Sequence, residues 1–310
     1  MNLRIGSRGS QLALWQSNHI AALLRGQGHT VEIEIIKTTG DRLQEVTFAQ
    51  VGSKGMFTKE IEEALADGHV DLAVHSLKDL PTELAELFVL AATPPRVDPR
   101  DAFVSVHYPN LAALPPGARV GTSSQRRRAQ LKALRPDLHP VEFRGNVDTR
   151  LRKLGEGQVQ AILLASAGLD RLEKTEWVRE RLEPKDFCPA AGQGSLGIET
   201  RNGDEATIAA LAFLDDTATR FAVTAERAAL AALGGGCQVP IGIHCRPLAG
   251  DYESKNEIFA VVAAPETGEA VRVHLTQAGC TAEELGRRAV EKLLECGAGA
   301  LLAANAGAGH

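Results

Sequence analysis

Two stretches, RVGTSSQRRRAQL (Arg119–Leu131) and EFRGNVDTRLRKL (Glu142–Leu154), place hydroxyl and amide side chains directly ahead of clustered arginines. Each reads as a strand that turns through Gly, Ser, Thr or Asn into a helix whose first turn carries cations. Such a turn binds anions: N–H groups at a helix N-terminus carry partial positive charge, and the hydroxyls of Thr122, Ser123 and Ser124 can donate. Guanidinium forks match carboxylate or phosphate with two parallel bonds. For either segment alone, a solvated basic helix face is the alternative. Between Arg119 and Lys153, ten Lys or Arg stand against Asp137, Glu142 and Asp148, a balance of +7 in a chain of net charge -5, so the remainder carries -12. That concentration suits a ligand with several negative charges, while the overall acidity argues against a general nucleic-acid binder.

Three other segments carry chemistry. HSLKDLP (His75–Pro81) follows the apolar run DLAV, so Lys78 and Asp79 belong on the loop leaving a strand's C-terminal end, the edge where open α/β sheets bind ligands. A carboxylate there accepts a substrate proton, stabilises a developing cation, or serves only as a turn residue; His75 reads as a satisfied core histidine. In GGGCQVPIG the thiol of Cys237 follows three glycines and precedes a strand, which puts it on a loop of free backbone geometry. Cys188, Cys280 and Cys296 read as small buried hydrophobes. A zinc site from Cys237, His244 and Cys245 fits no usual spacing, so no metal is expected. The stretch Thr38–Phe57 is polar and punctuated by glycine, with Lys54 between Gly52 and Gly55; it reads either as a lid carrying Lys54 and Phe57 or as a plain surface loop.

The elements that must position these residues follow from periodicity. Short apolar runs alternate with amphipathic stretches through the first two thirds, the pattern of βα units around a mainly parallel sheet. Strands are expected at Leu3–Ile5, Val31–Ile36, Leu72–Val74, Phe88–Ala91, Phe103–Val106, Arg119–Gly121, Val141–Phe143 and Ala161–Ala165. Helices are expected at Ser10–Arg25, Thr58–Ala66, Ser124–Leu134 and Asn146–Leu154, each near a capping Ser, Thr or Asn. The Pro-rich, charged ATPPRVDPRDA (Ala92–Ala102) suits a crossover between two α/β domains. After a helical region, Glu205–Leu233, three β-like runs (Val239–His244, Ile258–Ala263, Ala270–Leu275) and a helix, Ala282–Cys296, read as a separate α+β domain, with fraying expected from Gly297 onward.

At 310 residues and 44% hydrophobic, the chain has room for two or three packed cores. Five cysteines without a C-x-x-C pair speak against a disulfide framework. No apolar stretch is long enough to span a membrane and the N-terminus resembles no export signal, so a cytoplasmic location is expected.

Taken together, IGSRGSQLALWQ, TTGD, GSKGMFTKEIE, DLAVHSLKDLP, GTSSQRRRAQL, RGNVDTRL, ILLASAGLDRL, AAGQGSLGIE and GGGCQVPIG resemble, in order and over nearly the whole chain, the porphobilinogen deaminase (hydroxymethylbilane synthase) family. The resemblance implies two lobes like type II periplasmic binding proteins plus a smaller C-terminal α+β domain. Domain 1 would comprise 1–95 and 195–214, domain 2 would comprise 100–190, and domain 3 would comprise 217–310. It implies a transferase that condenses four porphobilinogens head to tail with loss of ammonia and releases hydroxymethylbilane, in tetrapyrrole synthesis. The implied cofactor is a dipyrromethane held by a thioether to Cys237. By the same resemblance Asp79 is catalytic, and Lys78, Asp79, Thr122, Ser123, Ser124, Arg126, Arg127 and Arg144 hold the cofactor. Substrate falls to Arg8, Ser76, Arg144, Arg150, Arg171 and Gln193. The small molecule is the expected partner of a monomer, with no nucleic acid and no membrane. Two rivals remain: a non-catalytic two-lobed anion-binding protein, and a cysteine acyl-transfer enzyme that would pair Cys237 with His244.

Overall fold

The computed structural model describes residues 1–39, 58–234, 240–248 and 255–307, with side chains to residue 304. The chain forms two compact units, Met1–Val97 with Gly194–Arg220, and Asp98–Gln193 with Phe221–His310.

In the first unit, β1 (Asn2–Ser7), β2 (Thr30–Ile35), β3 (Leu72–Ser76) and β4 (Phe88–Ala92) are joined by a strand from much later in the chain, β10 (Leu196–Arg201). The order is β2-β1-β3-β10-β4. The strands β1, β2 and β3 run parallel, and β10 is antiparallel to both β3 and β4. The helix Gln11–Gly26 starts where the Ser10 hydroxyl accepts from the Ala13 N–H at 3.3 Å. Its apolar stripe, Ile20, Ala21 and Leu24, packs on Leu3, Ile5 and Val31.

The second unit repeats this plan with β5 (Asp101–Val104), β6 (Arg119–Gly121), β7 (His139–Val141), β8 (Ala161–Ala165) and β9 (Val178–Leu182), in the order β7-β6-β8-β5-β9. Here β6 is parallel to β7 and β8, while β5 is antiparallel to β8 and β9. The two sheets are thus of one topology. In one the antiparallel strand arrives last, and in the other it comes first. Four of the five strands in each sheet run the same way, so the sheets are mainly parallel as expected, each with one antiparallel strand; β9 and β10 were absent from the expected strands. The edge strand β9, VRERL, is too charged to read as apolar, and β10 carries Glu199 and Thr200, both fully buried, among its apolar residues.

The same unit holds the antiparallel sheet β11 (Ile241–Pro247), β12 (Asn256–Ala263) and β13 (Ala270–Gln277). One face packs Ile243, Cys245 and Ile258 against Ala222, Ala225 and Ala229 of the helix Thr217–Ala232, and against Leu285 and Leu293 of the helix Ala282–Glu295. Thr281 and Glu284 form a capping box that starts the latter helix. The other face sets Phe259, Val261 and Ala263 on Ala129 and Cys188. Among the described residues the expected fraying after Gly297 gives way to a helix, Ala298–Gly307, whose Ala298 and Leu301 enter the core. Cys188 and Cys245 are buried, but Cys280 is half-buried and Cys296 exposed, which corrects the reading of the last two as core residues.

Gly286 lets the two long helices of this domain meet, since a Cβ there would lie 2.4 Å from the Ala225 carbonyl oxygen. Gly286→Ala must push those backbones apart. It is expected to cost about 1–3 kcal/mol in urea unfolding, and an unchanged midpoint would place the contact elsewhere.

Candidate active site

Because β1 and β3 are neighbours and parallel, their C-terminal ends emerge on one edge of the first sheet. Arg8 follows β1 there, and Ser76 ends β3, its hydroxyl accepting from Gln16 Nε2 at 2.8 Å. A 3-10 turn, Leu77–Asp79, follows at once. Leu77 is buried and its N–H donates to the Ser195 carbonyl at 3.0 Å, which anchors the turn and leaves Lys78 and Asp79 at the edge. Asp79 is exposed, and no hydrogen bond or ion pair engages its carboxylate among the described residues. His75 is instead a core residue, its Nε2 2.9 Å from Glu199 Oε2, as read from the sequence.

In the second sheet, β6, β7 and β8 present their C-terminal ends on one edge, and a helix begins beyond each. Ser124 caps the helix Gln125–Leu134 by accepting from the Arg127 N–H, and Thr122 Oγ1 accepts from the Ser124 N–H at 3.2 Å. Asn146 caps the helix Val147–Gly155 by accepting from the Thr149 N–H at 2.9 Å. Gly145 before it has φ +122°, and a Cβ there would lie 2.6 Å from Thr149 Cγ2, so the turn takes no side chain. Arg150 then points Nη2 at the Ser123 hydroxyl, 3.2 Å away, bringing the two turns together. Its Nε is buried without a hydrogen-bond partner among the described residues. Burial, reinforced by the like charge of Arg127, lowers this guanidinium's pKa to about 10. Arg144, in the same turn, donates from Nε to Glu142 at 2.6 Å. Arg171 closes the helix after β8, 7% exposed, and burial lowers its pKa to about 10.

Arg126 and Arg127 face inward. They converge on Asp101, the fully buried first residue of β5. Arg126 Nη1 lies 2.6 Å from Asp101 Oδ2 and 2.7 Å from the Cys188 carbonyl, and Arg127 Nε lies 2.9 Å from Asp101 Oδ1. Gln193 Nε2 donates to the same oxygen at 3.0 Å and to the Pro99 carbonyl at 2.7 Å. Burial by itself would raise the Asp101 carboxyl; the charges of Arg126 and Arg127 overturn that and hold it well below the usual carboxylate range. The sequence readings did not include Asp101. Its one signal was an acid heading the apolar run AFV, a place where a charge needs a buried partner.

Cys237, Lys54 and Phe57 lie outside the described residues. Around the strand that follows Cys237, Glu226 is fully buried and accepts from the N–H groups of Gly192 at 2.6 Å and Cys245 at 2.7 Å, with His244 Nδ1 at 3.3 Å. Cys245 belongs to the apolar cluster with Ile241 and Ile243, and its neighbour His244 takes the opposite face of β11. The two cannot meet one metal ion, and no His, Cys, Asp or Glu group among the described residues could hold one. Burial pushes the Cys188 thiol up to about 12, which leaves it inert. No helix of the described residues is long and apolar enough to cross a membrane.

Residues 3–209 match the family described as "Porphobilinogen deaminase, dipyromethane cofactor binding domain", and residues 220–295 match "Porphobilinogen deaminase, C-terminal domain". Proteins named porphobilinogen deaminase are similar end to end. That of Nitratidesulfovibrio vulgaris strain Miyazaki F is 49% identical over 99% of this chain and 98% of its own. That of Roseiflexus castenholzii is 49% identical over 97% and 99%, and that of Bordetella parapertussis 48% over 97% and 95%. Among solved structures, the periplasmic VFT2 domain of Bordetella pertussis BvgS has a TM-score of 0.42 at 14% identity, covering 68% of this chain and 85% of that one. With matches to both parts of the family and nearly half its residues shared over full length, the chain belongs to the porphobilinogen deaminase family.

Proposed function

We infer that this chain is a transferase that joins four porphobilinogens head to tail, losing ammonia at each coupling, and releases hydroxymethylbilane by hydrolysis. The observation that carries the reading is Arg150. It is a half-buried guanidinium at the meeting of two capped helix N-termini, its Nε buried without a partner, and among the described residues it donates only to a neutral hydroxyl. Such a charge calls for an anionic ligand, and each pyrrole of this chemistry brings an acetate and a propionate.

The same donor set fits a dipyrromethane, which has several carboxylates. Arg144, Arg150 and the hydroxyls of Ser123 and Ser124 would hold it, with Lys78 and Asp79 at the first sheet's edge and Cys237 as the point of attachment. When bound, the cofactor supplies the pyrrole carbon to which the first substrate is joined. Asp79 acts on the incoming porphobilinogen, accepting from its pyrrole N–H and stabilising the cation left when ammonia departs. Arg126, Arg127 and Gln193 contribute through the frame that they build on Asp101. Arg8, Ser76 and Arg171 bind substrate carboxylates, and Lys54 and Phe57 belong to a lid.

The chain divides by this reading into domain 1 (1–95 and 195–214), domain 2 (100–190) and domain 3 (217–310), and works as a cytoplasmic monomer. Arginines near the primer are needed to load it, and others only to extend it. Arg144→Leu is therefore expected to leave little cofactor-loaded protein by intact mass, and Arg8→Leu to load normally but couple poorly. Equal, slight losses at both would favour a solvated basic face. A chain that binds porphobilinogen without releasing ammonia would be the anion-binding protein of the rival reading.

A further inference from the structure

A cavity of about 200 Å³ opens beside the face of the C-terminal sheet that packs on Ala129 and Cys188, lined by Pro184, Lys185, Cys188, Phe259, Arg272 and His274 among others. Pairing of β12 with β13 sets Phe259 opposite His274 and Val261 opposite Arg272, which brings Arg272 and His274 to that one face. The rings of Phe259 and His274 stack, centroids 4.3 Å apart and planes 4° from parallel. Arg272 donates from Nη1 to Gln130 Oε1 at 3.3 Å, whereas its Nη2 is buried with no hydrogen-bond partner among the described residues.

The nearby acids do not supply that partner. Glu257 is committed to Arg246 Nε at 2.6 Å and to His274 Nε2 at 2.8 Å. Asp186 attracts Arg272 at range but forms no ion pair with it, and burial leaves this guanidinium below its ordinary pKa. Lys185 is exposed at the rim and has no acidic partner among the described residues. A buried donor and a second cation beside a flat aromatic wall form a site that needs both an acceptor and a ring.

We propose that this cavity is a second ligand site, for a small aromatic carboxylate. The carboxylate sits on Arg272 Nη2 with Lys185 as counter-charge, and the ring lies against the stacked Phe259 and His274. The site shares no residue with the turns that meet at Ser123 and Arg150. Cys188, which lines the cavity, leads from it toward Arg126, its carbonyl accepting from Arg126 Nη1 at 2.7 Å, and Gln130 braces it by accepting from the Cys188 N–H at 2.7 Å and donating to the Cys188 carbonyl at 2.9 Å.

The test uses the full-length, cofactor-loaded protein, with benzoate as the probe and benzamide as its uncharged twin, followed by backbone amide NMR. Benzoate is expected to give saturable shifts at residues 184–188, 259–260 and 272–274 with a dissociation constant of about 1–10 mM. Benzamide should give none that saturate. Arg272→Gln should weaken benzoate by about tenfold, as for loss of a charge-assisted bond. Lys185→Gln, an exposed change that leaves packing alone, should weaken it by about threefold. Equal responses to benzoate and benzamide, benzoate shifts confined to Ser123 and Arg150, or full affinity in Lys185→Gln would overturn the proposal even if Arg272→Gln fails to fold.

Discussion

Asp79→Asn is expected to lose at least ~100-fold in coupling turnover, about 2.7 kcal/mol or more of transition-state stabilisation, while folding and substrate binding change little. The carboxylate stands exposed on a turn pinned by Leu77 and engages no partner among the described residues, so removing its charge disturbs nothing structural. Loss of ammonia turns a neutral ring into a delocalised cation, and a fixed negative charge favours the second over the first. Asn keeps the shape and drops that charge. Asp79→Glu keeps the charge displaced by one methylene and should retain measurable, reduced turnover. Cofactor loading is checked first by mass, because priming uses the same chemistry; single-turnover coupling then measures the step. A loaded Asp79→Asn protein at the parent rate would reduce Asp79 to a turn residue.

Asp101→Asn should be severe for a different reason. Asp101 is the shared partner of two buried guanidiniums, Arg126 at 2.6 Å and Arg127 at 2.8 Å. Neutralising it strands both charges in the interior, and breaking a buried pair in this way costs about 3–5 kcal/mol. The pH dependence has a definite sign. The folded-state carboxyl lies below its unfolded value, so its contribution is fully present above pH about 4 and is lost as pH falls through the folded-state pKa. The gap between parent and variant in urea unfolding should be widest at neutral pH and narrow below pH about 4. A variant within about 1 kcal/mol of the parent at neutral pH would mean that the two arginines find other partners.

This network marks where the sequence stopped being legible. Strand β6, the capping Ser124 and Asn146, and the strand-end position of Asp79 could all be read from local pattern, because turn chemistry and apolar runs are short-range signals. That Arg126 and Arg127 face inward could not, since their partner lies 25 and 26 residues away on a strand whose neighbours are β8 and β9. A cluster of arginines reads as a ligand site whether its charges face a substrate or a buried Asp, and only the partner separates the two. Arg150, which donates to a neutral hydroxyl, keeps the ligand reading. Strand β10 was hidden for a related reason: Glu199 interrupts its apolar pattern and is tolerated at full burial because His75 on the neighbouring strand meets it. The terminal helix Ala298–Gly307 shows the converse, an Ala-rich stretch of weak signal given order by packing of Leu301.

The central claim is that the chain builds a pyrrole oligomer on itself from a primer at Cys237, and intact-mass spectrometry of the native protein before and after porphobilinogen tests it most directly. Protein made in a porphobilinogen-competent host should carry one dipyrromethane, mapped by peptide analysis to Cys237. With substrate it should then gain mass in equal steps, each one porphobilinogen less one ammonia, and Cys237→Ser should show neither the adduct nor the ladder. An unmodified parent that shows no ladder, or a Cys237→Ser protein that still carries the primer and extends it, would contradict the account.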